Sequence, residues 1–134
     1  MENKKILILG SSGFLGSHLV KFLLKNNEVV QFDMNPPPQK ITGSEFIKGS
    51  ILDKTLVTSA MKDVDIVYHF AAMTDIDIVN DNPAQAIEVN IAGTSNVLEA
   101  CVQEKIERLS FQAVFMFTVS LVAYINLQNR PANY

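Results

Sequence analysis

The sequence predicts an α/β fold, a doubly wound parallel sheet with helices on both faces, and three observations carry that prediction. Short apolar runs end in glycine or small residues, stretches of helical spacing separate them, and the two alternate in order. The 134 residues suffice for one hydrophobic core, and a composition of 48% hydrophobic and 19% charged residues argues against disorder. Eleven basic residues against fourteen acidic ones give a net charge of -3 without a basic stripe, which disfavours a nucleic-acid partner. Cys101 is the only cysteine, so neither an internal disulfide nor a cysteine-built zinc site is expected. Met1 to Lys5 leads into a strand-like run without a long apolar stretch, so the cytoplasm is expected rather than secretion.

Lys5-Ile-Leu-Ile-Leu9 stops at Gly10, as a buried parallel strand would. After the turn Gly10-Ser-Ser-Gly13, helical spacing runs from Phe14 to Lys25, and Phe14, Leu15, Leu19, Phe22 and Leu23 predict one buried face. Asn26-Asn27 ends that helix. Glu28 to Phe32 reads as the second strand, and Pro36-Pro37-Pro38 forces a loop. Glu45 to Lys48 is a short third strand closed by Gly49, and Asp53 is placed to cap a helix over Lys54 to Met61. Val64 to Phe70 is the fourth strand, ending in the small pair Ala71-Ala72. Pro83 suits the first turn of a long helix running to about Glu104, with Ile87, Ile91, Val97, Leu98 and Val102 on its expected buried side. Leu109 opens a fifth strand.

Gly10, Gly13 and Gly16 lie directly between the first strand and the first helix. In such a loop one glycine permits a tight turn, one lets backbone approach a pyrophosphate, and one lets helix and strand pack closely. Unpaired amides at the helix N-terminus then face the phosphates, helped by the helix dipole. Asp33, seventeen residues past Gly16, ends the second strand, where a carboxylate accepts hydrogen bonds from both hydroxyls of an adenosine ribose. It repels a 2′-phosphate, and no arginine follows in Met34 to Lys40, so NAD is the expected cofactor rather than NADP.

The spacing Gly10-Ser-Ser-Gly13-Phe-Leu-Gly16 resembles the extended short-chain dehydrogenase/reductase family, the NAD-dependent epimerases and dehydratases of nucleotide sugars. The resemblance continues through Asp33, Gly49-Ser-Ile-Leu-Asp53, Tyr68-His-Phe-Ala-Ala72 and Asn90-Ile-Ala-Gly-Thr94. It implies a Rossmann-like sheet of order 3-2-1-4-5, ended after its fifth strand, with residues 1–110 as the NAD-binding domain. It implies that the loop residues Gly10, Ser12, Gly13, Phe14, Leu15 and Gly16 meet the cofactor, with Asp33 on the ribose and Ser50 and Ile51 against the adenine. The family usually carries an aspartate where Ser50 stands. Phe70, Ala71, Ala72 and Thr74 are expected to line the crevice, and Asn90 to supply a cofactor-side hydrogen bond.

Other residues read as structural. His69, inside an apolar strand, is expected to be a satisfied core histidine rather than a catalytic one. Asp75, Asp77 and Asp81 are expected on a solvated loop rim rather than around a metal, which needs more converging oxygens. Cys101 is expected to pack.

The family's fifth strand leads to a serine-rich turn and then Tyr-x-x-x-Lys, the acid/base pair that accompanies hydride transfer through NAD. Residues 111–134 hold no such motif: Gln128 stands four places after Tyr124, and no lysine follows Lys105. Ala113 to Leu127 is apolar, yet shorter than a membrane span, so no membrane partner is expected. A frame read one nucleotide earlier, with wobble bases chosen freely, can encode Phe-Ser-Ser-Ser-Ile-Tyr-Val-Tyr-Ser-Gln-Phe-Gly-Gly-Leu-Tyr-Lys-Leu-Thr-Lys-Gln-Ala-Cys-Glu over Phe111 to Asn133. That frame holds the serine turn and the Tyr-x-x-x-Lys pair in family order. The expectation is therefore a truncated family member with an aberrant, frameshifted tail over 111–134. Such a chain keeps NAD affinity, lacks catalytic residues of its own, and is expected to be marginally stable, forming a homodimer or aggregating through exposed apolar surface; its full-length relatives would take a nucleotide sugar. The alternative is a non-catalytic NAD-sensing or subunit-pairing module whose apolar tail is genuine.

Overall fold

In a computed structural model of the protein, residues 2–111 are described. Strands β1 (Lys5–Leu9), β2 (Glu28–Asp33), β3 (Glu45–Lys48), β4 (Ile66–His69) and β5 (Arg108–Phe111) form one sheet of order β3-β2-β1-β4-β5. Every pairing is parallel; Ile8 lies opposite Gln31 on one side and Tyr68 on the other. Helices α1 (Phe14–Leu23), α2 (Lys54–Ala60), α3 (Ile76–Asp81) and α4 (Pro83–Ile87) precede a π-helical turn over Glu88–Gly93, which runs on into α5 (Thr94–Gln103). The fifth strand takes in Phe111, and the expectations for the tail beyond it lie outside the described residues.

The period-2 alternation of β1 sorts the core onto two faces. Ile6 and Ile8 meet Val20 and Leu23 of α1, together with Val29 and Ile66. Leu7 and Leu9 join Val30, Phe32 and Val67 in a larger cluster with Val57 and Ala60 of α2 and Val97 and Ala100 of α5. Burial of both faces is why these strands are almost wholly apolar. At the N-terminal edge of the sheet, Lys4 pairs with Glu107 at 2.9 Å and with Asp65 at 3.6 Å, while Asp65 accepts from the Lys5 amide at 2.8 Å.

Two helix faces differ from the sequence expectation. On α1 the buried stripe is Gly16, Val20 and Leu23, whereas Phe14, Leu15 and Phe22 are exposed. The packing of Gly16 against Gly10 and Ser11 sets the rotation of this helix and carries Phe14 and Phe22 outward. On the long helix, Val97 is buried, but Ile87, Ile91, Leu98 and Val102 are exposed. Its inner side is made of Ala86, Asn90, Gly93, Thr94, Val97 and Ala100, mostly small residues that allow close approach. A helix apolar on two sides has a clear period and no label saying which side faces inward. The run from Asp75 to Asp81 is also a helix rather than a loop rim: Asp75 caps it, its carboxylate accepting from the amides of Asp77 and Ile78 at 3.0 and 3.2 Å.

Candidate functional site

The chain steps from β1 out to β2 and β3, then returns across β1 to β4. The C-terminal ends of β1 and β4 therefore border the switch point of the sheet, where open α/β folds hold their ligands. Gly10 closes β1 there with φ +83, and a Cβ on it would stand 2.5 Å from the Ala71 amide nitrogen. Only glycine satisfies both the left-handed backbone and that approach. A Cβ on Gly16 would overlap the Gly10 carbonyl oxygen and stand 2.8 Å from the Ser11 Cα. Gly13 differs: among the described residues, a Cβ there meets the Gly10 oxygen alone, at 3.4 Å. The described residues do not demand that glycine, and they leave room beside it.

Gly13 is also the N-cap of α1, where no side chain among the described residues caps the helix and no acidic residue stands in the first turn. The first amides of a helix have no intrahelical partner, and the dipole adds partial positive charge at that end. This one opens to solvent, with Phe14 exposed beside it. The adjacent Ser11 is fully buried, and its hydroxyl has no partner among the described residues.

Asp33 stands beside this end. One carboxylate oxygen accepts from the Ser12 amide and the other from the Asn35 amide, each at 3.0 Å. Each oxygen keeps a further lone pair for a ligand diol. The Gly10 and Ser11 amides both donate to the Phe32 carbonyl, at 2.9 and 3.3 Å, which joins the start of the loop to the end of β2.

The residues expected to line the crevice follow β4. Phe70 and Ala71 are half-buried, Ala72 and Thr74 exposed, and the Phe70 amide donates to the Leu9 carbonyl at 2.8 Å. Asn90, almost fully buried on the π-helical turn, has both ends of its amide on Met73: Oδ1 accepts from the Met73 amide at 2.8 Å and Nδ2 donates to the Met73 carbonyl at 3.0 Å. The structure thus places Asn90 under the crevice loop, as its support. Ile51 is buried among the α2 and α5 residues, and the Ser50 hydroxyl accepts from the Leu52 amide at 3.2 Å.

His69 is buried, with Nε2 at 3.0 Å from the Thr94 hydroxyl and Nδ1 without a partner among the described residues. Burial pushes its pKa down to about 4, which keeps the ring neutral at ordinary pH. Cys101 is half-buried against Met61, and burial pushes its thiol up to about 11. Among the described residues, no group of three or more His, Cys, Asp or Glu could hold a metal ion. Ser11, Asn35 and Met73 belong to the site, yet sequence reasoning did not single them out. Asn35 and Met73 act through their main chain, which leaves no mark on residue type.

Comparison with known proteins agrees with this fold. The model of the NAD dependent epimerase/dehydratase family matches residues 6–124. The inverting UDP-N-acetylglucosamine 4,6-dehydratase of Campylobacter jejuni is 36% identical over 124 residues, an alignment covering 81% of this chain and 36% of that enzyme. The chain therefore spans about a third of the length of the curated relatives it matches. Among solved structures, the UDP-glucose 4-epimerase of Thermus thermophilus, in complex with NAD, superposes with a TM-score of 0.75 at 25% identity, covering 92% of this chain and 50% of that one. Bordetella bronchiseptica WbmH, in complex with NAD+, gives 0.69 at 29% identity, with 81% and 38% covered. Among the described residues, no helix is long and apolar enough to cross a membrane. The glycine loop, the parallel sheet and a family match across most of the sequence lead to one assignment: the chain belongs to the NAD dependent epimerase/dehydratase family.

Proposed function

We propose that this chain binds NAD across the ends of β1 and β4, as the nucleotide-holding part of an enzyme acting on a nucleotide sugar. One observation carries the reading: α1 begins on an uncapped glycine with open space beside it, and Asp33 stands next to that end. A diphosphate fits the open amides, and a ribose diol fits the remaining lone pairs of Asp33. Ser50, Ile51, Phe70, Ala71, Ala72 and Thr74 are the proposed walls of the crevice. Two solved relatives that hold NAD and share this sheet support the same cofactor. When bound, NAD supplies a hydride acceptor; what this chain contributes is grip and orientation. Its single cysteine fits a reducing compartment such as the cytoplasm.

Residues 112–134 carry no Tyr-x-x-x-Lys pair, so the chain by itself is proposed to lack turnover, in keeping with a shifted reading frame over that segment. Self-association fits the exposed apolar row Ile87, Ile91, Leu98 and Val102, which also favours the second reading, a pairing module that senses NAD. Titration of the purified protein with NAD, NADP and UDP-sugars tests the first reading. Saturable NAD binding is expected, at least roughly tenfold weaker for NADP and for Asp33→Ala, with no sugar conversion. Equal affinity for NAD and NADP would sink the role given to Asp33, and measurable epimerisation would sink the claim of inactivity. Sequencing the encoding DNA from the Ser110 codon onward separates a lost frame, open downstream, from a tail that is genuine.

A further inference from the structure

The loop that faces the phosphates and the turn that carries Asp33 are separate pieces of chain, and Ser12 bridges them twice. Its amide donates to Asp33 at 3.0 Å, and its hydroxyl donates to the Asn35 carbonyl at 2.6 Å. The Asn35 amide returns to Asp33 at 3.0 Å and closes a ring of three hydrogen bonds around the turn after β2. Gly13 and the open end of α1 follow immediately. We propose that Ser12 is a positioning residue whose hydroxyl fixes the spacing between the phosphate-facing amides and the ribose-binding carboxylate. The ligand class that feels it is a nucleoside diphosphate with a free ribose diol, which must engage both pieces at once. The inference rests on the NAD reading and adds to it a residue that acts through spacing rather than contact.

The chemistry of the tie gives a discriminating test. The Ser12–Asn35 bond is solvent-exposed, so without it the Asn35 carbonyl bonds to water and the fold loses little. What is lost is the population of loops already at the right spacing, and a ligand spanning both pieces then binds more weakly by that fraction. A bond of ordinary net strength corresponds to roughly three- to tenfold. Ser12→Ala is therefore expected to weaken ADP by that factor and adenosine by less than about twofold, with an unchanged melting temperature. Ser12→Thr, which keeps the hydroxyl, should restore ADP binding. NMR titration reads both affinities, including weak ones. Equal weakening of ADP and adenosine would make Ser12 a plain ribose contact and overturn the spacing role, as would an Ala variant that binds ADP like the wild type. If the wild-type protein binds neither NAD nor ADP, the cofactor reading itself falls, a result distinct from either of these.

Discussion

The N-termini of α1 and α2 face the same problem and solve it in opposite ways. Asp53 closes α2 with its own side chain, accepting from the Leu56 amide at 3.0 Å, and Asp75 does the same for α3. Gly13 has no side chain to offer α1, and the Asp33 carboxylate accepts from the amides of Ser12 and Asn35. A capped end is spent on the fold, because its amides already have an acceptor. An uncapped end beside a partner-free approach is available to an anion from outside. The difference fits the nucleotide role proposed for the start of α1 and the structural role of the capped starts of α2 and α3.

That comparison can be broken or sharpened experimentally, and the largest effect belongs to the glycine that holds α1 in place. Gly16→Ala puts a methyl group into the Gly10 carbonyl, and overpacking of this kind should cost about 3 kcal/mol. Chemical denaturation reads it; a loss under about 1 kcal/mol would mean that α1 moves aside easily and that its rotation is not set here. Gly13→Val comes next and must behave differently. NAD affinity is expected to fall at least tenfold, about 1.4 kcal/mol, while the melting temperature stays near wild type. A variant that unfolds without a change in intrinsic affinity would place Gly13 among the structural glycines. The smallest effect is at the closed end: Asp53→Ala should lose about 1 kcal/mol of stability and leave NAD binding untouched. Altered NAD binding there would show that α2 is coupled to the site.

Residues acting through type and spacing were legible in the sequence. The three glycines between strand and helix, the carboxylate ending β2 and the Asp53 cap follow from local patterns that the structure repeats, and the strand order matches the one implied by the family resemblance. Helix facing was not legible. On α1 and on the long helix, two apolar stripes compete, and large exposed residues outweigh the small ones that touch the core. The helix over Ile76–Asp81 was hidden because its acidic residues read as solvent-seeking, although one of them is its cap.

By itself, then, the sequence determined the alternation and the glycine loop, since these rest on periodicity and on backbone requirements that particular residues meet alone, while the resemblance implied the topology. Glycine at φ +83 and an acceptor at the end of β2 are choices visible one residue at a time. Only the tertiary structure decided which stripe of each helix is inside, that Asn90 supports Met73, and that Ser12 ties the loop to Asn35. Those outcomes depend on main-chain atoms and on distances between segments far apart in the chain. Every residue carries the same carbonyl and nearly all the same amide, so nothing in residue type announces which of them will meet.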